Sequence, residues 1–193
     1  MLTNRYEDAL VLASRLHRSQ RRKGSSTPYL AHLIGVSSLV LEHGGTEDEA
    51  IAALLHDAIE DQGGVSTGEA IRLRFGDTVA DIVWACTDAV VIPKPPWRAR
   101  KEAYLAHLSE NHDRVLIVSA SDKVYNARSI LADFRTLGDR VYDRFTASKA
   151  STLWYYRELV TAYGCAPKLA ERTRPLVAEL DRVVSMLERE DRP

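Results

Sequence analysis

The chain has 193 residues, a net charge of −1, 45% apolar and 27% charged residues, and only two cysteines, Cys86 and Cys165. That length suits one domain with a real core. The near-neutral charge argues against bulk binding to nucleic acid or an acidic membrane, and two cysteines without knot or disulfide spacing fit a reducing cytoplasm. No apolar run approaches the ~20 residues of a bilayer span, and the N-terminus lacks a secretory signal's charged start and apolar core.

Residues 5–19 read as a first helix, with Ala9, Leu10, Ala13 and Leu16 at helical spacing. The Gly, Ser and Pro content of residues 20–28 makes a loop. It carries three consecutive cations, Arg21, Arg22 and Lys23, a run that is ordinarily solvated. A second helix is expected from about Tyr29 to His43, with His32 on its first turn. Thr46 and Glu49 form a capping box for a third helix.

That third helix carries the stretch around which the chain is organised, Leu54-Leu55-His56-Asp57-Ala58-Ile59-Glu60-Asp61. It sets one histidine and three acids in an apolar segment, where an unpaired buried charge costs several kcal/mol. A bare His-Asp pair is ordinarily a buried couple, with nearby acids solvated at the helix end that Gly63-Gly64 provides. A metal ion is the alternative, because His56 and Asp57, about 100° apart on a helix, can both reach one ion. Asp57, Glu60 and Asp61 share a face by i, i+3 and i+4. His32 upstream and Asp122 downstream complete a His…His-Asp…Asp set, enough N and O donors for a divalent first-row metal with open positions.

Ser66 and Glu69 suggest another capping box, opening a helix to about Phe75. Gly76 ends it, and Asp77 is expected to cap the next, with Val79, Ile82 and Val83 inward. Thr87-Asp88 precedes Val91-Ile92-Pro93-Lys94-Pro95-Pro96-Trp97, whose prolines break any helix. This loop is either an active-site rim or lid, or a plain connector. Another helix opens at Arg98-Ala99-Arg100-Lys101. Val115–Val118 is an apolar run that periodicity alone leaves open as strand or helix. Asp122 and Asn126, at i and i+4, share a face if that segment is helical. Residues 139–163 read as one long helix whose Phe145, Leu153, Trp154, Tyr156 and Leu159 are core-like. After residue 167 a last helix aligns Leu176, Leu180, Val183 and Leu187, a stripe that buries either on the domain or against the partner in a homodimer.

Taken in order, these motifs resemble the HD-domain metal-dependent phosphohydrolases, and most closely the small alarmone hydrolases, stand-alone relatives of the RelA/SpoT hydrolase domain. The residues that carry the resemblance are Arg21-Arg22-Lys23, Thr27-Pro28-Tyr29-Leu30-Ala31-His32, Ala53–Asp61, Phe75-Gly76-Asp77, Thr87-Asp88 and Ser121-Asp122-Lys123-Val124-Tyr125-Asn126-Ala127-Arg128. They span roughly residues 5–160. Two departures stand out: Leu33 where the family commonly has proline, and Gln62 where it has threonine.

The resemblance implies an all-α fold, a single HD-domain helical bundle over residues 1–165 with an extra C-terminal helix over 166–193. It implies one Mn²⁺ held by His32, His56, Asp57 and Asp122, with Glu60 and Asp61 as the catalytic acids. It places Arg22, Lys23, Lys123 and Asn126 at the nucleotide, and near it Arg98, Arg100, Lys101, Lys149 and Tyr156. The implied reaction is hydrolysis of the 3′-pyrophosphate of an alarmone such as (p)ppGpp, leaving GDP or GTP, as part of the stringent response. The same metal set would serve (p)ppApp or NADPH. A non-catalytic nucleotide sensor is a third reading, against which the intact Glu60-Asp61 pair argues. The expected partner is a small-molecule nucleotide, with no nucleic acid and no membrane.

Overall fold

A computed structural model describes residues 1–90 and 93–190. Val91 and Ile92 of the proline-rich loop, and the last three residues of the C-terminal segment, lie outside the described residues. Those described are helical and irregular, and none forms a strand. A lone antiparallel bridge pairs Arg21 with Pro28. In chain order the helices are α1 (Asn4–Leu16), α2 (Leu30–Glu42), α3 (Glu47–Leu55), α4 (Ala58–Asp61), α5 (Val65–Phe75), α6 (Asp77–Cys86), α7 (Trp97–Leu108), α8 (Asp113–Leu137), α9 (Lys149–Gly164) and α10 (Arg174–Glu190). Among the described residues no helix is long and apolar enough to cross a membrane.

The bundle is built around α3 and α8. Ala50 through Leu55 are fully buried along α3, and Leu116, Ile117, Val118, Ala120, Val124 and Ala127 are buried along α8. The apolar run Val115–Val118 is therefore helix: it opens a 25-residue α8 that is buried on more than one face. Helix α3 starts as expected. The Thr46 hydroxyl accepts the Glu49 N–H, and the Glu49 carboxylate accepts the Thr46 N–H at 2.6 Å, a complete capping box.

Several local expectations are corrected. The first helix stops at Leu16, where the His17 N–H bonds back to Ala13. The central motif does not lie on one continuous helix. Helix α3 ends at Leu55, His56 and Asp57 form a turn, and α4 holds only the next four residues. Ser66 and Glu69 form no capping box, because α5 already begins at Val65 after Gly64 in a left-handed conformation (φ 63°). The hydroxyls of Ser66 and Thr67 instead donate to the carbonyls of Gly63 and Gln62. Asp77 is the first residue of α6 and makes no cap; its carboxylate pairs with Arg72 at 2.5 Å. Residues 139–163 are not one helix either. A 3-10 segment (Gly138–Arg144) buries Val141 and Tyr142, and α9 begins only at Lys149, capped by Ser148.

The C-terminal stripe faces α8 and α9 of its own chain, with Leu176, Leu180, Val183 and Leu187 each at most 2% exposed. Burial at this level is worth roughly 1.5–3 kcal/mol per side chain. Polar groups add to it. Arg172 donates to both oxygens of buried Glu49 (2.7 and 3.0 Å), to Asp113 (2.7 Å) and to the Gly44 carbonyl. The segment leading into α10 is thus tied to the first turn of α3 and of α8, the two helices that carry the site.

Candidate metal centre and catalytic cleft

The turn after α3 points two side chains inward at the place where α2 and α8 pass. His32, on the first turn of α2, is 1% exposed, His56 3% and Asp122 7%. One donor atom each from His32, His56 and Asp57 lies within 4.8 Å of the others. Asp122 Oδ1 approaches both rings, 3.3 Å from His32 Nε2 and 3.6 Å from His56 Nε2. Asp57 Oδ2 is 3.0 Å from His56 Nε2 and 3.5 Å from His32 Nε2. The four residues named from the sequence therefore converge, although no single helix face brings them there.

Close helix packing makes the convergence possible. On α2, Gly35 faces the Tyr125 ring of α8, and a Cβ at that position would lie 2.0 Å from a ring carbon. The missing side chain lets the Tyr125 ring settle edge-on to His32, 5.1 Å between centroids.

Hydrogen bonding orients the ligand set. His56 Nδ1 lies 2.8 Å from the Ala53 carbonyl, a contact in which nitrogen must donate. That turns Nε2 of His56 into the cluster, buried and without a hydrogen-bond partner; both ring nitrogens of His32 are likewise buried and unpartnered. The pattern is that of a metal-binding imidazole fixed through its other nitrogen. The Tyr29 hydroxyl donates to Asp57 Oδ2 at 2.6 Å, and burial followed by the Asp57 charge pushes its ionisation far up, so it remains a donor. Asp122 receives Lys123 Nζ on Oδ2 at 2.6 Å and the Asn126 amide on Oδ1 at 2.5 Å. Burial opposes ionisation of both carboxylates. It is outweighed at Asp57 by the imidazoles, and at Asp122 by Lys123 and then the imidazoles, so both sit well below the usual range. Two ionised carboxylates and two imidazole Nε2 atoms around one point fit the donor set of a divalent cation.

The group opens into a cavity of about 620 Å³. Glu60 and Asp61 line it one turn beyond Asp57 and are held differently. Glu60 accepts Lys94 Nζ at 2.7 Å and the Asp88 N–H at 3.3 Å. Asp61 accepts the Gln20 side-chain amide at 2.8 Å. Burial pushes Asp61 above the usual carboxylate range, with Gln20 acting the other way and Asp57 and Glu60 adding to the rise.

Of the cations expected at the nucleotide, Arg22, Lys23, Lys101 and Lys123 line this cavity, with Asn126 and Tyr156. Arg22 lies over Tyr29 and Tyr125 and donates to Asn126 Oδ1 at 2.7 Å. Lys101 pairs with Asp88 at 2.9 Å; burial, then the nearby Lys123 charge, lowers its pKa. Arg98, Arg100 and Lys149 are not brought in. Arg98 stacks on Trp154 and pairs with Glu102. Arg100 pairs with Asp88 and donates to the Pro95 carbonyl. Lys149 pairs with Asp139 and lies over Phe134.

Several cleft residues had no reading in the sequence: Gln20, Tyr29 as a donor to Asp57, Asp88 and Lys94. Tyr29 and Asp88 lie inside the motifs quoted above, and Lys94 is the only cation in the proline-rich loop. Gln20, a neutral amide at a loop start, carries no comparable signal. Lys94 on Glu60 makes the described part of that loop a rim of the cleft.

Residues 9–152 match the family profile described as HD domain. Guanosine-3′,5′-bis(diphosphate) 3′-pyrophosphohydrolase MESH1 of Xenopus tropicalis is 37% identical over 126 residues, 64% of this chain and 68% of the relative. The human protein of that name is 35% identical over the same shares. A guanosine-3′,5′-bis(diphosphate) 3′-pyrophosphohydrolase of Aquifex aeolicus (strain VF5) is 32% identical over 89% of this chain but only 20% of its own length. A solved structure described as a metazoan ortholog of SpoT that hydrolyzes ppGpp superposes with a TM-score of 0.76 over 96% of this chain and 97% of that one, at 23% identity, which shows a shared fold.

Proposed function

The chain belongs to the HD-domain family, and we propose that within it this protein is a metal-dependent 3′-pyrophosphohydrolase of an alarmone nucleotide, converting (p)ppGpp to GDP or GTP and pyrophosphate. The observation that carries the reading is the single cleft in which His32, His56, Asp57 and Asp122 converge beside two acids and a set of cations. The MESH1 relatives named for this reaction support the substrate class. We assign residues 1–165 to the hydrolase unit and 166–193 to a brace.

His32, His56, Asp57 and Asp122 would hold one divalent ion, Mn²⁺ in this reading. Bound there, such an ion supplies Lewis acidity, a more acidic water and a polarised phosphoryl oxygen. The chain supplies the rest. Asp61, made the more basic acid by burial, accepts the proton of the attacking water, and Glu60 orients that water. Lys123, Lys101, Arg22 and Lys23 face the phosphates, since positioning and electrostatics dominate phosphoryl transfer. Asn126 and Tyr156 line the remainder of the nucleotide site.

The test is release of phosphate and pyrophosphate from ppGpp, pppApp and NADPH, with Mn²⁺ and with EDTA. Manganese-dependent pyrophosphate from ppGpp, leaving GDP, supports the proposal. Pyrophosphate from pppApp alone, or orthophosphate from NADPH alone, moves the same centre to another substrate. No release from any of them, with metal bound, overturns the catalytic reading.

A further inference from the structure

Asp61 is the most weakly tethered acid of the cleft, and its partner is a neutral amide. Gln20 Nε2 donates to Asp61 Oδ2 at 2.8 Å. Gln20 Oε1 is itself taken twice: it accepts Gln62 Nε2 at 2.6 Å and faces His17 Nδ1 at 2.6 Å. These contacts fix which way the amide points. With the oxygen held by two nitrogens, the NH₂ group must face the carboxylate; reversed, it would set oxygen against oxygen at Asp61 and NH₂ against the Gln62 amide. His17 is 2% exposed and stacked on Tyr29, 5.3 Å between centroids at 20°. The backbone holds Gln20 as well, since its N–H donates to the His17 carbonyl and its own carbonyl accepts the Tyr29 N–H.

We propose that Gln20 is a positioning residue for the reaction, a clamp locked by His17 and Gln62 that holds Asp61 in one rotamer with its second oxygen turned to the attacking water. The inference rests on the role given to Asp61 above. It explains what a glutamine contributes directly after the Glu60-Asp61 pair: Gln62 has the reach to donate to Gln20, which the shorter side chain of a threonine lacks. Because Tyr29 also donates to Asp57, the stack of His17 on Tyr29 ties the tether of the acid to that of the metal-binding aspartate.

The experiment is steady-state hydrolysis of ppGpp with Mn²⁺ by the wild type, Gln20→Met, Gln62→Thr, the double variant and Asp61→Asn. Methionine keeps the shape of glutamine and removes the hydrogen bonds. One hydrogen bond to a charged group corresponds to a kcat loss of roughly 10- to 100-fold for Gln20→Met, with KM within about threefold of wild type. Gln62→Thr should lose less, and in the Gln20→Met background it should add no further loss, because it acts through Gln20. Mn²⁺ affinity by calorimetry should change little in either variant, while Gln20→Met should lower Tm by about 3–10 °C as the buried His17 Nδ1 loses its partner. A Gln20→Met enzyme that keeps its kcat, that loses only KM, or whose loss multiplies with that of Gln62→Thr overturns the clamp. Asp61→Asn separates the two levels. If it retains turnover, the role of Asp61 fails; if it is inactive while Gln20→Met is normal, only the clamp fails.

Discussion

Gly35→Ala tests whether helix packing, rather than the ligands themselves, sets the geometry of the metal centre. The added methyl would sit 2.0, 2.6 and 2.9 Å from three carbons of the Tyr125 ring, where van der Waals contact needs about 3.4 Å or more, so α2 or the ring must move by more than an ångström. Overpacking of this kind costs about 1–3 kcal/mol. If the ring gives way, its edge contact with His32, about 0.5–1.5 kcal/mol, and its contact with Arg22, about 0.5–1 kcal/mol, go with it. Helix propensity returns about 1 kcal/mol for alanine over glycine. The net expectation is a loss of about 1–4.5 kcal/mol, a Tm fall of about 3–15 °C, and Mn²⁺ affinity weakened about tenfold as His32 is displaced from Asp122. The control is the same change in a Tyr125→Ala background. With the ring gone its three close contacts are removed, the propensity term dominates, and Gly35→Ala should then stabilise by up to about 1 kcal/mol. Thermal melts and calorimetry on the four proteins decide it. A neutral Gly35→Ala in the wild type, or the same sign in both backgrounds, refutes the packing argument.

Further outcomes follow from the site and its supports. Changing Glu60 to Gln and Asp61 to Asn together should leave ppGpp affinity within a few-fold and reduce turnover by about 10²–10⁴-fold; persistent turnover would remove both from water activation. Mn²⁺ at about a hundred times its Kd should raise stability by about 2.7 kcal/mol, a Tm rise of about 5–10 °C that EDTA reverses and His56→Ala abolishes. Asp113 shows a pH effect with a definite sign. Burial raises its pKa, but the Thr173 hydroxyl, the Ala170 N–H and Arg172 outweigh that and depress it in the folded state. A depressed carboxylate contributes stability above its unfolded pKa of about 3.9 and loses it as pH falls through the lower folded value. Acid melts should therefore show a shallower decline below pH 4 for Asp113→Asn than for the wild type.

What could be read from the chain alone follows the range of the interactions involved. The Thr46-Glu49 cap is legible because its partners are three residues apart. The stripe on α10 is legible because burial and helical period coincide. The four metal-binding candidates are legible as chemistry, since histidines and acids in apolar segments need a reason. Their arrangement is not, because the pattern Ala53–Asp61 continues as one helix and nothing local marks the turn at His56 and Asp57. Only the bundle shows that the turn, and not a helix face, aims them at His32 and Asp122. Gln20, Lys94 and Asp88 escape for a related reason: they reach the acids or cations of the cleft across 41, 34 and 13 residues of chain that must first fold. Arg98 and Lys149 show the converse, cations expected at the nucleotide that do not line the cavity. Both lie near the right helices but use their charge on Glu102 and Asp139, outside the cavity.

The charge pattern of the cleft reconciles a net charge of −1 with the polyanionic substrate proposed for it. Lys123 rests on Asp122, Lys101 on Asp88 and Lys94 on Glu60, while Arg22 is hydrogen-bonded to Asn126. Each ammonium group is held in place by an acid of the chain, so the cations are ordered before any phosphate arrives. A divalent ion at Asp57 and Asp122 would neutralise those two carboxylates and leave the field of Lys123 directed into the cavity. Metal and nucleotide should then strengthen each other's binding, and by linkage the effect must be reciprocal. Calorimetry with the inactive Glu60→Gln and Asp61→Asn double variant isolates this coupling from turnover. A ppGpp affinity that is the same with Mn²⁺ and with EDTA would mean that the cations reach the phosphates without help from the metal centre.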